Sequence, residues 1–140
     1  MKITLKRLDD AYHLVALNED GNAVETDGSP DIGGNKQGMR PMQLVLSALG
    51  SCSVIDVIQF LRKMRQPLRH IEMVVDGERE PDKVPSLFRD IHLHYILYGP
   101  LDSQKVERAI AMSVEKYCSV ARILEKTANI TWDYEIRYDE

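Results

Sequence analysis

A long stretch without a polar face constrains this chain more than any other feature. From Pro41 to Ile55 the sequence is PMQLVLSALGSCSVI, with no charged residue. A helix that is apolar on every side is a buried helix. Pro41 suits a first helical position, and Pro67 ends the helix. The stretch predicts a long central helix that buries Cys52, and it is shorter than the ~20 residues that span a membrane, so we expect no membrane association.

Composition favours one folded domain over residues 1–140. The hydrophobic share is 44% and the net charge is −4, with no basic stripe, which argues against nucleic acid as a partner. The segment from Met1 to Leu8 alternates charged and apolar residues and lacks the apolar core of an export signal. We therefore expect a cytoplasmic protein whose two cysteines are thiols rather than a structural disulfide.

Alternation of apolar and polar residues predicts six strands around two helical regions. The predicted strands lie at residues 2–8, 12–17, 22–26, 71–78, 88–98 and 130–138. The core face of the fifth strand should carry Ile91, Leu93, Tyr95 and Leu97. The resulting order, βββ–α–ββ–α–β, favours an α+β fold with antiparallel strands.

The second helical region begins near Asp102 or Ser103, either of which could cap it. Its apolar stripe is expected to include Val106, Ile110, Val114 and Tyr117. Cys118 follows directly, and spacing leaves open whether the helix breaks there.

Signals for a metal or a bound cofactor are weak. His92 and His94 lie on the polar face of the fifth strand and could begin a metal site, but no third ligand is visible, so a polar strand face is favoured. The glycine-rich loop at 27–39 lacks the Lys-Ser/Thr pattern of a phosphate-binding loop. We therefore expect no metal and no cofactor.

A reactive cysteine is one that is held as a thiolate, which nearby cations favour. Arg40 lies twelve residues before Cys52, about 18 Å along a straight helix, so it would reach that thiol only if the preceding loop folded back. Lys36 in that loop is an alternative cation, and Asp56 lies one turn beyond Cys52. The residues alone leave both a reactive pair and inert core cysteines open.

Two segments together resemble a known family. GMRPMQLVLSALGSCSVIDVIQFLRK and EKYCSVARILEKTANITWDYEI are similar to the cysteine-bearing segments of the bacterial osmotically inducible protein C and organic hydroperoxide resistance (OsmC/Ohr) family, nearest to its redox-protein branch. The resemblance covers nearly the whole chain. It implies an OsmC-like α+β fold with antiparallel sheets around a long central helix, and an intertwined homodimer.

The same resemblance implies thiol peroxidase chemistry on organic hydroperoxides. Cys52 would attack the peroxide and become a sulfenic acid, Cys118 would resolve it to a disulfide, and a dithiol reductant, lipoyl-type in some members, would reset the pair. No metal or cofactor is needed for these steps.

One departure from the family pattern concerns the activation of Cys52. Well-characterised members begin this helix with Asn-Pro-Glu, whose Glu orients an activating Arg, whereas this chain has Arg40, Pro41 and Met42. Arg40 is then the candidate activator, either of the thiol in its own chain or of the partner subunit's thiol. The alternative is a non-catalytic OsmC-like dimer that binds a small apolar molecule or a partner, with both cysteines structural.

Overall fold

The computed structural model describes residues 1–138. Its elements are β1 (Thr4–Arg7), β2 (Leu14–Leu17), β3 (Ala23–Thr26), a 3₁₀ turn (Pro30–Ile32), α1 (Pro41–Lys63), β4 (His70–Arg79), β5 (Phe88–Tyr98), α2 (Ser103–Met112), a π-helical turn (Ser113–Tyr117), α3 (Ser119–Leu124) and β6 (Asn129–Arg137). The predicted element order is confirmed. The chain divides into two compact units, one at residues 1–45 and the other from Leu46 onward.

The first unit is built on an antiparallel three-stranded sheet of order β1-β2-β3. Gly21 closes the β2–β3 hairpin with a φ of +84°, a conformation that glycine adopts readily. Ile3, Leu5 and Val24 are 59%, 60% and 47% exposed, although an alternating pattern such as that of the first strand is typical of a half-buried strand. A sheet buries a face only where another layer packs on it, and no other layer of the first unit covers these three side chains.

Asp27 organises the glycine-rich loop that leads to α1. Its buried carboxylate accepts hydrogen bonds from the backbone N–H groups of Gly28, Asn35 and Gln37 at 2.7, 3.1 and 3.1 Å. These bonds, that from Gln37 foremost, hold the pKa of Asp27 below its usual value. One side chain thereby takes the place of regular secondary structure in this loop.

The second unit contains a sheet of order β4-β5-β6. β4 pairs with β5 antiparallel, but β6 pairs with β5 in parallel, with Leu93 opposite Trp132. The prediction of antiparallel strands is therefore wrong for β6. The cause is the connection: a parallel neighbour needs a crossover, which the helical segment between Tyr98 and Asn129 supplies.

The core of the second unit follows the predicted pattern. The four predicted core residues of β5, Ile91, Leu93, Tyr95 and Leu97, are all fully buried. α1 approaches β4 closely at Gly50, where an added Cβ would lie 3.0 Å from Val75 and 3.2 Å from Met73. The absence of a side chain at Gly50 therefore allows α1 to lie close to β4 at this position.

Burial along α1 is confined to one stripe, contrary to the expected burial on all sides. The buried residues are Leu49, Gly50, Ser53, Val57 and Leu61, spaced at one helical turn. The other apolar side chains of α1 are half-buried or exposed, with Ile55 58% exposed. The apolar composition of α1 therefore predicted more burial of this helix than one chain provides.

The complete length of α1 also changes the argument about membranes. The helix has 23 residues, and its most apolar 18 have a mean hydropathy of 1.9, enough to cross a membrane by length and composition. The expectation that this apolar segment is too short to span a membrane is therefore wrong. Core helices of soluble proteins pass the same test, so this property does not assign the helix to a membrane.

The second helical region breaks at Cys118, the point that spacing had left open. Val106, Ile110 and Val114 are buried as predicted, but Tyr117 is 52% exposed. Tyr117 lies in the π-helical turn, which is wider than an α-turn and shifts the following residues around the axis. The buried stripe of the α-helix therefore ends before Tyr117.

Candidate functional site

The structure brings the two cysteines together. Cys52 is half-buried on α1, and Cys118 is fully buried at the junction between the π-helical turn and α3. The two side chains lie close enough to interact, although 65 residues separate them in the chain. No disulfide links them, so the structure is that of a dithiol.

The π-helical turn positions Cys118. Its backbone N–H donates to the Ser113 carbonyl at 2.8 Å, a bond that spans five residues instead of four. Its Sγ accepts from the N–H of Ala121 at 3.4 Å, so Cys118 caps α3. Turns of this kind are rare and are frequent at functional sites.

Burial raises the pKa of the Cys118 thiol to about 11, and the hydrogen bond and the charge of Cys52 act in the same direction. Cys118 is therefore a neutral thiol at pH 7.

A buried chain of hydroxyl groups lies next to the thiols. Ser53 Oγ shares hydrogen bonds with the Tyr95 hydroxyl at 2.5 Å and with Ser113 Oγ at 2.8 Å. Ser113 Oγ also donates to Asp56 Oδ2 at 3.0 Å. Ser53, Ser113 and Tyr95 are fully buried, and burial raises the pKa of Tyr95. Sequence reasoning identified Asp56 but missed the three hydroxyls, because their proximity depends on the crossover.

Arg122 braces the segment that carries Cys118. Its guanidinium donates to both Glu125 carboxylate oxygens, at 2.8 and 3.1 Å, and to the carbonyl of Val114 on the other side of the cysteine. Among the described residues its Nη1 is the one buried side-chain nitrogen or oxygen without a hydrogen-bond partner. A cavity of about 360 Å³ lies beside this arginine, and Trp132 forms part of its wall, but neither cysteine lines it.

Arg40 lies in the first unit, one residue before α1. Its backbone N–H donates to Gln43 Oε1 at 2.9 Å, which caps the start of the helix. Lys36, the alternative cation, adopts a positive φ of 56° in the preceding loop. The activating role of either cation stays a prediction.

His92 and His94 lie on the polar face of β5, as predicted, and are engaged by β6. Asp133 Oδ1 lies 3.0 Å from His92 Nε2 and 2.7 Å from His94 Nδ1, and Glu135 Oε1 lies 3.0 Å from His94 Nε2. The bond to Asp133 foremost, then that to Glu135, raises the pKa of His94. Within residues 1–138 no group of three or more histidine, cysteine or acidic side chains is placed to hold a metal ion.

Comparison with known proteins gives the same fold and sequence pattern. The profile of the family described as OsmC-like protein matches residues 33–133. Protein YhfA of Escherichia coli strain K12 is 47% identical over 97 residues, which cover 69% of this chain and 72% of YhfA.

Two solved structures extend the comparison to nearly the whole chain. A hypothetical protein from Aquifex aeolicus superposes with a TM-score of 0.85 at 29% identity, covering 99% of this chain and 97% of that one. An organic hydroperoxide resistance protein OsmC from Legionella pneumophila shares the fold with a TM-score of 0.70 at 16% identity, covering 96% and 97%. The chain belongs to the OsmC-like protein family.

Proposed function

We propose that this protein is a thiol-dependent reductase of organic hydroperoxides. The observation that carries the proposal is the proximity of Cys52 and Cys118, since two neighbouring thiols need little movement to form a disulfide. Membership of the OsmC-like family and the name of the Legionella relative support a redox role.

The proposed reaction has three balanced steps. The Cys52 thiolate attacks the O–O bond of the hydroperoxide, which takes up one proton; the alcohol leaves and Cys52 becomes a sulfenic acid. The Cys118 thiol attacks that sulfur, so that the S–S bond forms and water carries away the hydroxyl group and the thiol proton. A dithiol reductant, for which a lipoyl-type group is a candidate, supplies two electrons and two protons to restore both thiols.

The proposal is tested by counting thiols after one equivalent of cumene hydroperoxide. The wild type should lose two thiols, and Cys118→Ser should stop at a Cys52 sulfenic acid that dimedone traps. Unchanged thiol counts in the wild type would refute the proposal. Measurement at several peroxide concentrations separates the attack step from the resolving step.

Arg40 is proposed as the cation that activates Cys52, in the same chain or in the partner subunit. Arg40→Gln should slow sulfenic acid formation while leaving the backbone bond to Gln43 intact, because only the charge is removed. Lys36→Gln is the matched control in the same loop. If Lys36→Gln slows the attack and Arg40→Gln does not, the assignment passes to Lys36.

A homodimer is the proposed assembly, with each chain forming a single OsmC-like domain. The exposed apolar face of the first sheet and the partial burial of α1 support it, because a second copy would cover apolar surface that one chain leaves in water. Leu5→Lys should weaken the dimer in sedimentation experiments, whereas Thr4→Lys on the same strand should not. A wild-type monomer at every protein concentration would contradict the assembly.

The burial of Cys118 favours one alternative, a non-catalytic dimer that binds a small apolar molecule or a partner. A fully buried neutral thiol also suits a core residue. Under this alternative, Cys52→Ala would leave peroxide consumption in a dithiol-coupled assay unchanged.

A further inference from the structure

Ser113 connects both segments that carry the cysteines. Its carbonyl accepts the N–H of Cys118 at 2.8 Å, which closes the π-helical turn. Its hydroxyl lies 2.8 Å from Ser53 Oγ, next to Cys52 on α1, and 3.0 Å from Asp56 Oδ2, one turn further along α1. One residue therefore ties the backbone of Cys118 to the helix of Cys52.

The hydrogen-bond chain has one direction that satisfies every donor. A carboxylate only accepts, so Ser113 donates to Asp56, Ser53 donates to Ser113, and Tyr95 donates to Ser53. The other acceptor within reach of Ser113 is the carbonyl of Ser53, at the longer distance of 3.5 Å. A bond to a charged acceptor is also the stronger of the two. Asp56 thus fixes the orientation of all three hydroxyls.

The burial of this chain makes its geometry costly to change. Ser53, Ser113 and Tyr95 have no exposed surface. A buried hydroxyl that loses its partner has no water to replace it. The π-helical turn and α1 are consequently held in one relative position at the place where the two sulfurs meet.

We propose that Ser113 and Asp56 are positioning residues for the disulfide, holding Cys118 over Cys52 so that the S–S bond forms in preference to other reactions of either thiol. They contact neither the peroxide nor the reductant. The inference rests on the proposed dithiol function and assigns its resolving step to a defined pair of side chains. The formation of the S–S bond itself is the step written above.

Ser51 provides a matched control. It flanks Cys52 on the side opposite Ser53, but it is exposed, and its hydroxyl donates to the carbonyl of Ser47 within the same helix at 2.7 Å. Ser51→Ala removes a hydroxyl adjacent to Cys52 without touching the link to the π-helical turn.

The test measures the Cys52–Cys118 disulfide in mixtures of reduced and oxidised dithiothreitol, without peroxide. Ser113→Ala should lower the equilibrium constant for disulfide formation on the order of tenfold, the scale of one lost buried hydrogen bond. Asp56→Asn should lower it by less, because its amide oxygen still accepts from Ser113 but lacks the charge that strengthens the bond. Ser113→Thr retains the hydroxyl and should recover most of the loss, and Ser51→Ala should match the wild type.

A second measurement separates positioning from general damage. With cumene hydroperoxide, the Cys52 sulfenic acid that dimedone traps should persist longer in Ser113→Ala than in the wild type, because its resolution by Cys118 is slowed. Circular dichroism melts report whether each variant folds, and the nearly isosteric Asp56→Asn decides the question if Ser113→Ala unfolds.

The outcomes distinguish this inference from the peroxidase proposal. Wild-type disulfide equilibria in both Ser113→Ala and Asp56→Asn would overturn the positioning role. In another outcome, the wild-type protein does not react with hydroperoxide while the equilibrium constant for disulfide formation is still lower in the two variants. That result would refute the peroxidase proposal and support the positioning role.

Discussion

The side chain of Cys118 lies close enough to Cys52 to interact with it, although Cys52 belongs to α1 and Cys118 to the junction before α3. Cys52 is half-buried, whereas Cys118 has no exposed surface. This asymmetry suits a pair in which a reagent from solvent reacts first with Cys52. The buried Cys118 then reacts with the modified Cys52.

Removal of Cys52 should lower the pKa of Cys118. Burial raises that pKa to about 11, and the hydrogen bond and charge of Cys52 contribute to the increase. In Cys52→Ala these two contributions disappear while burial remains, so the thiolate absorbance of Cys118 should appear at lower pH than in the wild type. A Cys118 that titrates at the same or a higher pH would contradict the hydrogen bond.

Gly99 should be the more costly of two glycines to replace. Its φ is +138°, and an added Cβ would lie 2.5 Å from the Pro67 carbonyl oxygen, so Gly99→Ala combines backbone strain with a steric overlap. Strain alone costs about 1–3 kcal/mol. The free energy of unfolding in urea should fall by more than that amount.

Gly21→Ala is the control for backbone strain without overlap, because nothing lies within 4 Å of a Cβ at Gly21. Its φ of +84° should cost about 1–2 kcal/mol. Equal losses at Gly21 and Gly99 would show that the contact with Pro67 does not matter.

The stability contributed by Asp27 should disappear in acid. Its pKa is lowered in the folded protein, so the contribution is present above the unfolded pKa of about 4 and is lost as the pH falls through the folded value. Asp27→Asn should lower the melting temperature at pH 7, since an amide nitrogen cannot accept the N–H groups that the second oxygen binds. The difference from the wild type should shrink below pH 4, and a difference independent of pH would be evidence against the carboxylate.

The stability contributed by His94 should disappear in the opposite direction. Its pKa is raised, so the contribution is complete below the unfolded pKa of about 6.5 and is lost as the pH rises through the folded value. The wild type should exceed His94→Gln in melting temperature by more at pH 6 than at pH 9. Added salt should reduce the difference, because the histidine is partly exposed.

Local periodicity was sufficient to predict β5 and its buried face. Leu93 and Tyr95 alternate with His92 and His94, and a period of two places the two sets of side chains on opposite faces of a sheet. The same period in β6 does not reveal its direction, since parallel and antiparallel strands alternate alike. The parallel pairing follows from the crossover, which is a property of the whole second unit.

The candidate site was predictable only in part. Cys52 and Cys118 were identified from their segments, and the structure places them together. Ser113 gave no signal in sequence, because its position depends on a π-helical turn that α-helical spacing does not anticipate. The exposure of Tyr117 has the same origin.

The parallel pairing of β5 with β6 has a consequence for the order of assembly during synthesis. β6 follows both cysteines in chain order, so it leaves the ribosome after them. Until that strand has emerged and docked beside β5, the crossover has no second anchor, and Cys118 is not held near Cys52. A nascent chain would therefore display two separate thiols until β6 has emerged, and the dithiol is assembled only after that strand docks.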